Sequence, residues 1–379
     1  MEKCNLKYNV RATVLSPLSI GQGEEKDWVE GIDFIVQNGL LYHITLDRMV
    51  EAGIDINKLA ALFVGSRPED SFRLLGSRLE DISDFQMKMP CSSPNPVKTF
   101  FRNQFTGNPV LCGSSLKGAI RSALFNYFST GNRDSLYGNK RADEAVFGSI
   151  KEKNGSDFMR FIRIGDIDFS TTGLVNTKIY NLQGRGNTWE GGWKHAVNKT
   201  DCSYSPTGFN TIYECLLPGE EGNGSIVLSP HLFESADMYK CASFDKMRML
   251  MHSDKSGKKP NEKLCDIIND YTYNHLSKDF EFFQKYDQGQ NSGLILDSIN
   301  DIIDHIPDVN ESTDECVIRL SAGSGFHAIT GDWQYEDYTD TGYYDTGRNR
   351  GKKKYKSRKI ASFEEKLMPM GYIKLKISE

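Results

Sequence analysis

Five apolar residues at every second position, Leu6, Tyr8, Val10, Ala12 and Val14, alternate with Lys7, Asn9, Arg11 and Thr13 near the N-terminus. A period of two fits a half-buried β-strand, because successive strand side chains point to opposite faces. The C-terminal stretch Gly371-Tyr372-Ile373-Lys374-Leu375-Lys376-Ile377 alternates in the same way. Asn38-Gly39 separates the apolar runs 32–36 and 40–45, a strong short-range hairpin signal. Helical spacing appears elsewhere. Over 115–128, Leu116, Ile120, Ala123, Leu124, Tyr127 and Phe128 share one face, and over 262–286 so do Leu264, Ile267, Ile268, Tyr271, Leu276 and Phe283. Further helices are expected over 46–63, broken at Gly53, and over 294–306. Strands are expected over 161–169, 211–217, 224–228 and 315–320. Residues 173–210, rich in Gly, Asn and Thr, read as a long loop or arm. Antiparallel strands with interleaved helices predict an α+β architecture. We divide the chain near 230: residues 1–229 form an N-terminal unit with a glycine loop, a helix and the arm, and residues 230–379 form a helical unit ending in strands.

Charge and composition narrow the function. The chain of 379 residues has 46 Lys and Arg against 51 Asp and Glu, a net charge of −5. That excludes a uniformly basic nucleic-acid binder and leaves room for a local basic groove. At 38% hydrophobic residues, a packed core is expected and a disordered tail is not. No apolar run approaches the ~20 residues of a membrane helix. The N-terminus lacks a signal-peptide block, so the expectation is a cytoplasmic protein with no membrane partner. The eight cysteines form no C-x-x-C pair and no zinc-ligand spacing. They read as free thiols, and no cofactor or metal is expected.

The most informative segment is Leu111-Cys112-Gly113-Ser114-Ser115-Leu116-Lys117-Gly118-Ala119-Ile120-Arg121. Ser114 or Ser115 can cap the helix, whose first N–H groups and dipole favour an anion. Lys117 adds a point charge in the first turn, and Arg121 lies four residues on, on the same face. Gly113 and Gly118 leave room for a close approach. These parts suit a phosphodiester backbone, or else an ordinary capped helix with two surface cations. The Walker pattern is absent, so nucleotide triphosphate binding has no support.

The string GSSLKGAIRSAL resembles the signature of the RAMP superfamily of CRISPR proteins, a Gly-Ser-Ser-x-Lys-Gly-x-x-Arg loop and helix beside guide RNA. Three further segments, Glu144–Gly148, Arg163–Asp166 and Leu320–Phe326, together with the closing Met368-Pro369-Met370-Gly371-Tyr372-Ile373-Lys374-Leu375, are similar in order to the fifth subunit of type III-A (Csm) effector complexes. The resemblance implies modified RRM-like (ferredoxin-like) RAMP domains with inserted loops and an arm. It implies a non-catalytic subunit that caps the 3′ end of the guide RNA (crRNA) filament and supports guide maturation. The implied partners are the guide RNA, the other Csm subunits, above all the repeated backbone subunit that cleaves target RNA, and host nucleases. A cap must hold phosphates without reading sequence, through a basic groove and stacked aromatics. The candidate RNA-binding residues are Gly113, Ser114, Ser115, Lys117, Gly118, Arg121, Arg163, Gly323, Ser324, Gly325 and Phe326. Phe326 either stacks on RNA or anchors its turn in the core. Gly21 and Gly23 form a second candidate loop, Gly184-Arg185-Gly186 lies in the arm, and the basic run Arg348–Lys359 is a solvated loop or an RNA-binding arm.

The alternatives are a RAMP endoribonuclease or another RAMP subunit, either a type III-B paralogue or the target-cleaving backbone subunit. The seven histidines are scattered, and only His327 adjoins a glycine loop. His275 reads as a structural histidine. Asp33, in an apparent strand, reads as structural. Asp166 and Asp168 are spaced to face one side of a strand, weak evidence for a metal.

Overall fold

The computed structural model describes residues 5–55, 57, 78–91, 96–130, 141–149, 157–185, 188–196, 199–236, 238–287, 292–308, 313–320, 322–323, 343–345, 352–354 and 357–379. The N-terminal alternation forms β1 (Leu6–Val14), with Tyr8, Val10, Ala12 and Val14 buried and Lys7, Asn9 and Arg11 exposed. Asn38 and Gly39, at φ 52° and 77°, join β2 (Phe34–Gln37) to β3 (Leu40–Ile44). Two consecutive left-handed residues give the turn whose twist suits a hairpin. Helix α1 (Leu46–Glu51) stops before Gly53, at φ 74°. The rest of the helix expected to residue 63 lies almost wholly outside the described residues. Helix α2 (Leu79–Ile82) leads into β4 (Ser83–Lys88), which pairs with β3 and completes a three-stranded sheet.

The next elements are β5 (Val97–Lys98), β6 (Val110–Leu111), α3 (Gly113–Ser129), α4 (Ala142–Phe147), β7 (Ile162–Ile164) and β8 (Ile167–Asp168). The single strand expected over 161–169 is thus two short strands, interrupted at Gly165-Asp166. After them come β9 (Gly173–Arg185), β10 (Thr188–Ala196), β11 (Lys199–Asp201), β12 (Asn210–Cys215) and β13 (Glu221–Leu228). The helices α5 (Pro230–Ser235), α6 (Phe244–Met251), α7 (Pro260–Tyr286) and α8 (Ser292–Ile303) follow. Strands β14 (Glu315–Arg319), β15 (Tyr343–Asp345), β16 (Lys352–Lys354), β17 (Ser357–Phe363), β18 (Lys366–Pro369) and β19 (Tyr372–Ser378) complete the chain.

The first sheet has the order β14-β19-β1-β13-β8-β6, with β7 also on β13, and all its pairs are antiparallel. Along the chain, β1, α3, β7, β13, α7 and β19 follow one another, and in space the strands run β19-β1-β13-β7. This is the βαββαβ arrangement of a ferredoxin-like, RRM-like fold. The two amphipathic stripes explain the layering. Leu116, Ile120, Ala123 and Leu124 of α3 and Leu264 and Ile268 of α7 share one core with Tyr8, Val10, Ala12 and Val14 of β1. Residues from both sides of position 230 contribute to this sheet and core. Asn269 of α7 lies against the outer edge of β14: its amide donates to Glu315 O at 3.1 Å and accepts from Val317 N–H at 2.9 Å.

Residues 173–210 are not a loop. They build most of the second sheet, ordered β11-β10-β9-β12-β5, with β17 on β9. Their glycines and polar residues have packing reasons. A Cβ on Gly191 would fall 2.3 Å from Tyr180 Oη, so only glycine lets that ring in. Tyr180, Leu182 and Trp193 join Leu276, Phe282 and Phe283 of α7 in a second core. Buried Lys178 donates to Ser205 O and Thr207 O, which fixes the segment before β12.

Candidate functional site

Helix α3 begins at Gly113, one residue before the first of the two serines expected to cap it. Cys112 is the cap residue and gives no side-chain hydrogen bond. The cause is Gly113, packed so tightly on the β7–β8 link that a Cβ would fall 2.4 Å from Ile164 O and 2.8 Å from Gly165 O. This approach puts the Gly113 N–H 2.7 Å from Asp166 Oδ1. One N-terminal donor of α3 is therefore already satisfied by a carboxylate, and Ser115 and Leu116 N–H donate to Cys112 O. Ser114 is exposed and Ser115 half-buried, and among the described residues neither hydroxyl makes a hydrogen bond.

Beyond the serines, the two cations of the motif part ways. Arg121 ion-pairs with Asp143 at 3.3 Å and Asp157 at 3.2 Å, and its guanidinium lies 4.3 Å from the centre of the Phe147 ring. Asp157 in turn caps the turn at Met159. Arg121 thus ties α3 to α4 and to the turn before β7. Lys117 makes no hydrogen bond or ion pair among the described residues. Burial holds its ammonium below the ordinary lysine range; Asp157 opposes that shift and Arg121 adds to it. Gly118, next to Lys117, accepts a hydrogen bond from Ser122 Oγ. The local arrangement is a hydroxyl pair and a desolvated ammonium on the first turn of a helix whose other charges are matched.

Arg163 stands apart from this group. Its neighbour Ile162 packs into the core beneath α3, so Arg163 projects from the opposite face of the first sheet. There it donates to Ser229 Oγ at 3.3 Å, and Ser229 donates to Asn5. Gly323 sits at φ 85°, where a Cβ would fall 3.0 Å from Met370 Sδ. Ser324, Gly325, Phe326 and His327 lie outside the described residues. Backbone bonds join two of the expected loops to each other and to the segment before the α3 motif: Ala322 N–H donates to Ser19 O, and Phe101 N–H donates to Ile20 O. The loop after β1 is thereby flanked by the segment entering the α3 motif and by the C-terminal glycine loop.

The residues weighed for catalysis have structural partners. Asp33 precedes β2 instead of lying in a strand, and its carboxylate accepts from Val29 N–H at 2.8 Å. Asp166 is held by Gly113, and Asp168 pairs opposite Asn223. His275 is buried with its ring 4.2 Å from that of Tyr271. No group of three or more His, Cys, Asp or Glu that could hold a metal is found among the described residues. No helix among them is long and apolar enough to cross a membrane.

Two buried charge networks have no signal in the linear sequence. Asp279 of α7 accepts from Arg319 of β14 at 2.9 Å and from Arg358 of β17 at 2.6 Å, and all three are buried. Arg358 also lies 4.0 Å from the Phe282 ring centre. Fully buried Glu214 accepts from Phe100 N–H, Thr172 Oγ1 and Arg102. The described end of the basic run is therefore internal: Arg358 serves Asp279 and Lys359 donates to Tyr213 Oη.

The model of the RAMP superfamily matches residues 11–378. Over 186 residues the chain is 27% identical to Csm5, a CRISPR-system protein of Streptococcus thermophilus; the match covers 42% of this chain and 51% of that protein. The chain thus spans about half the length of the curated relative it matches. In structure it resembles a chain of the cryo-EM Csm–crRNA–target RNA ternary complex of a type III-A CRISPR-Cas system, with a TM-score of 0.65 and 18% identity over 97% of this chain and 100% of that one. It also resembles the crystal structure of T. onnurineus Csm5, with a TM-score of 0.58 and 18% identity over 96% and 99%. At such identities the structures attest a common fold. With the signature at Gly113–Arg121 and a match over nearly its whole length, the chain belongs to the RAMP superfamily.

Proposed function

We propose that this chain is a Csm5-type subunit of a type III-A CRISPR effector complex that holds guide RNA without cleaving it and caps the 3′ end of the guide filament. The observation that carries the reading is the first turn of α3. There Ser114, Ser115 and Lys117 are left without partners among the described residues, while Arg121 is matched by carboxylates. Unmatched hydroxyls and a partly desolvated ammonium gain most from a phosphate, which needs donors and positive charge. Contacts of this kind position a backbone and do not read bases, as variable guides require. Of the other candidates, Gly113 and Gly118 shape the turn and Arg121 braces it. Arg163, on the far sheet face, and the Gly323–Phe326 loop are second contacts with the guide or with a neighbouring subunit. Type III-A partners follow from the Csm5 likeness, and guide maturation would proceed through protection of the capped end or recruitment of host nucleases. The expected location is the cytoplasm.

The test is Lys117→Ala in the purified complex. RNA occupancy should fall, and the slope of log affinity against log salt should become shallower by about 0.7, the value for one phosphate contact on a single strand. Guide length and occupancy identical to those of the unmodified complex would refute the assignment of the site.

A further inference from the structure

The second sheet carries a cavity of about 430 Å³ where β9, β12 and β17 meet. The strand register fixes its walls. Thr177 stands opposite Ala361 and Thr211, and Ile179 stands opposite Lys359, so these side chains share one face of the sheet. Gly208 and Phe209, just before β12, complete this part of the lining. The volume lies within the range of about 300–1,000 Å³ that small-ligand pockets occupy.

The groups around this cavity can donate more bonds than they make. Lys359 donates to Tyr213 Oη and lies 4.6 Å from that ring's centre, and among the described residues no carboxylate pairs with it. Thr211 Oγ1 and the N–H groups of Gly208 and Phe209 make no hydrogen bond among the described residues. Lys194 of β10 rests 4.1 Å from the centre of the Phe209 ring and is likewise in no ion pair among them. Asp201 approaches the rim through His195, at 3.5 Å, and a Cβ on Gly208 would fall 3.5 Å from that imidazole. No carboxylate is among the described residues that line the cavity itself. Two other cavities have the opposite character, one lined by Asp266, Asp270 and Asp308 and the other by Asp301, Asp304 and Glu364 beside Lys366. An unmatched ammonium with spare donors, set against the apolar surface of Ile179 and Phe209, suits a ligand with a phosphate at one end and a ring at the other.

We propose that this cavity is a nucleotide pocket, in which Lys359, Thr211 and the amides of Gly208 and Phe209 take the phosphate while Ile179 and Phe209 take the nucleoside. No described residue of α3 lines it, so the site does not depend on the RNA-holding role proposed for that helix. The nucleotide arrives free or as one unit of an RNA strand, and both sources share this chemistry.

The test is calorimetric titration of the full chain with uridine monophosphate, uridine, inorganic phosphate and octauridine. Uridine monophosphate should bind more tightly than uridine or inorganic phosphate alone. Lys359→Met should weaken it about 10- to 100-fold, the worth of a charge-assisted hydrogen bond, and Thr211→Val about 2- to 10-fold. Thr211→Val removes a hydroxyl without a partner, so it should melt with the parent and serves as the readout should Lys359→Met fail to fold. Lys117→Ala should leave the affinity for uridine monophosphate unchanged. Octauridine that competes with uridine monophosphate and weakens in Lys359→Met would support the pocket with an RNA strand as its source. Octauridine that does neither, with uridine monophosphate still bound at Lys359, would support it with a free nucleotide. Inorganic phosphate bound as tightly as uridine monophosphate would overturn the nucleotide assignment. No binding of uridine monophosphate, with octauridine held through Lys117 and indifferent to Lys359→Met, would overturn the pocket and leave the RNA-holding role standing.

Discussion

Lys117 and Arg358 both lie in segments whose sequence invites assignment to a polyanion, and the fold uses them in opposite ways. Arg358 comes from a run with eight cations in twelve residues, Arg348–Lys359, yet it points inward onto Asp279 and Phe282. Lys117 is one of only two cations in its motif, yet it keeps its ammonium unmatched among the described residues. Charge density along a sequence therefore does not tell which of these two cations is matched by a carboxylate. What separates them is whether a carboxylate from another element reaches the cation. Asp279 on α7 reaches two arginines on two strands, whereas Asp157 reaches Arg121 and stops short of an ion pair with Lys117.

Three substitutions sharpen this contrast. Asp279→Ala should cost the most, about 3–5 kcal/mol, because it leaves two buried guanidinium groups without their shared carboxylate. A thermal or denaturant melt would register it, and a loss below 1 kcal/mol would mean that the triad is solvated. Arg121→Ala should cost less, about 1–3 kcal/mol, through two part-buried ion pairs and one ring contact. Its hydrogen exchange should rise in α4 and in the turn before β7. Lys117→Ala should cost least, within about 0.5 kcal/mol, as a substitution away from packed features usually does. A larger drop would show Lys117 to be a structural cation like Arg358, and the contrast would collapse.

Legibility in the sequence followed how local each determinant was. The alternation in β1 and β19, the Asn38-Gly39 turn and the stripes of α3 and α7 are set by neighbours within a few residues, and the sequence predicts them closely. The segment 173–210 reads as a loop because Gly191 and Asn176 are poor strand formers, and their roles are set by Tyr180 and by a carbonyl thirty residues away. The α3 motif was legible as a polar, cationic helix start. The occupation of its first donor by Asp166, 53 residues on, was not. Neither was the diversion of Arg121, which depends on two carboxylates brought in by separate elements.

The side chain of Asn269 has a consequence for how this chain can meet others. A bare edge strand offers a ladder of amides and carbonyls on which a foreign strand can polymerise. At the β14 border, one side-chain amide imitates that foreign strand, pairing with a carbonyl and an N–H two residues apart. Any incoming strand must first evict it. The sheet is thereby terminated from within, and growth of an assembly past this border is left to side chains and loops.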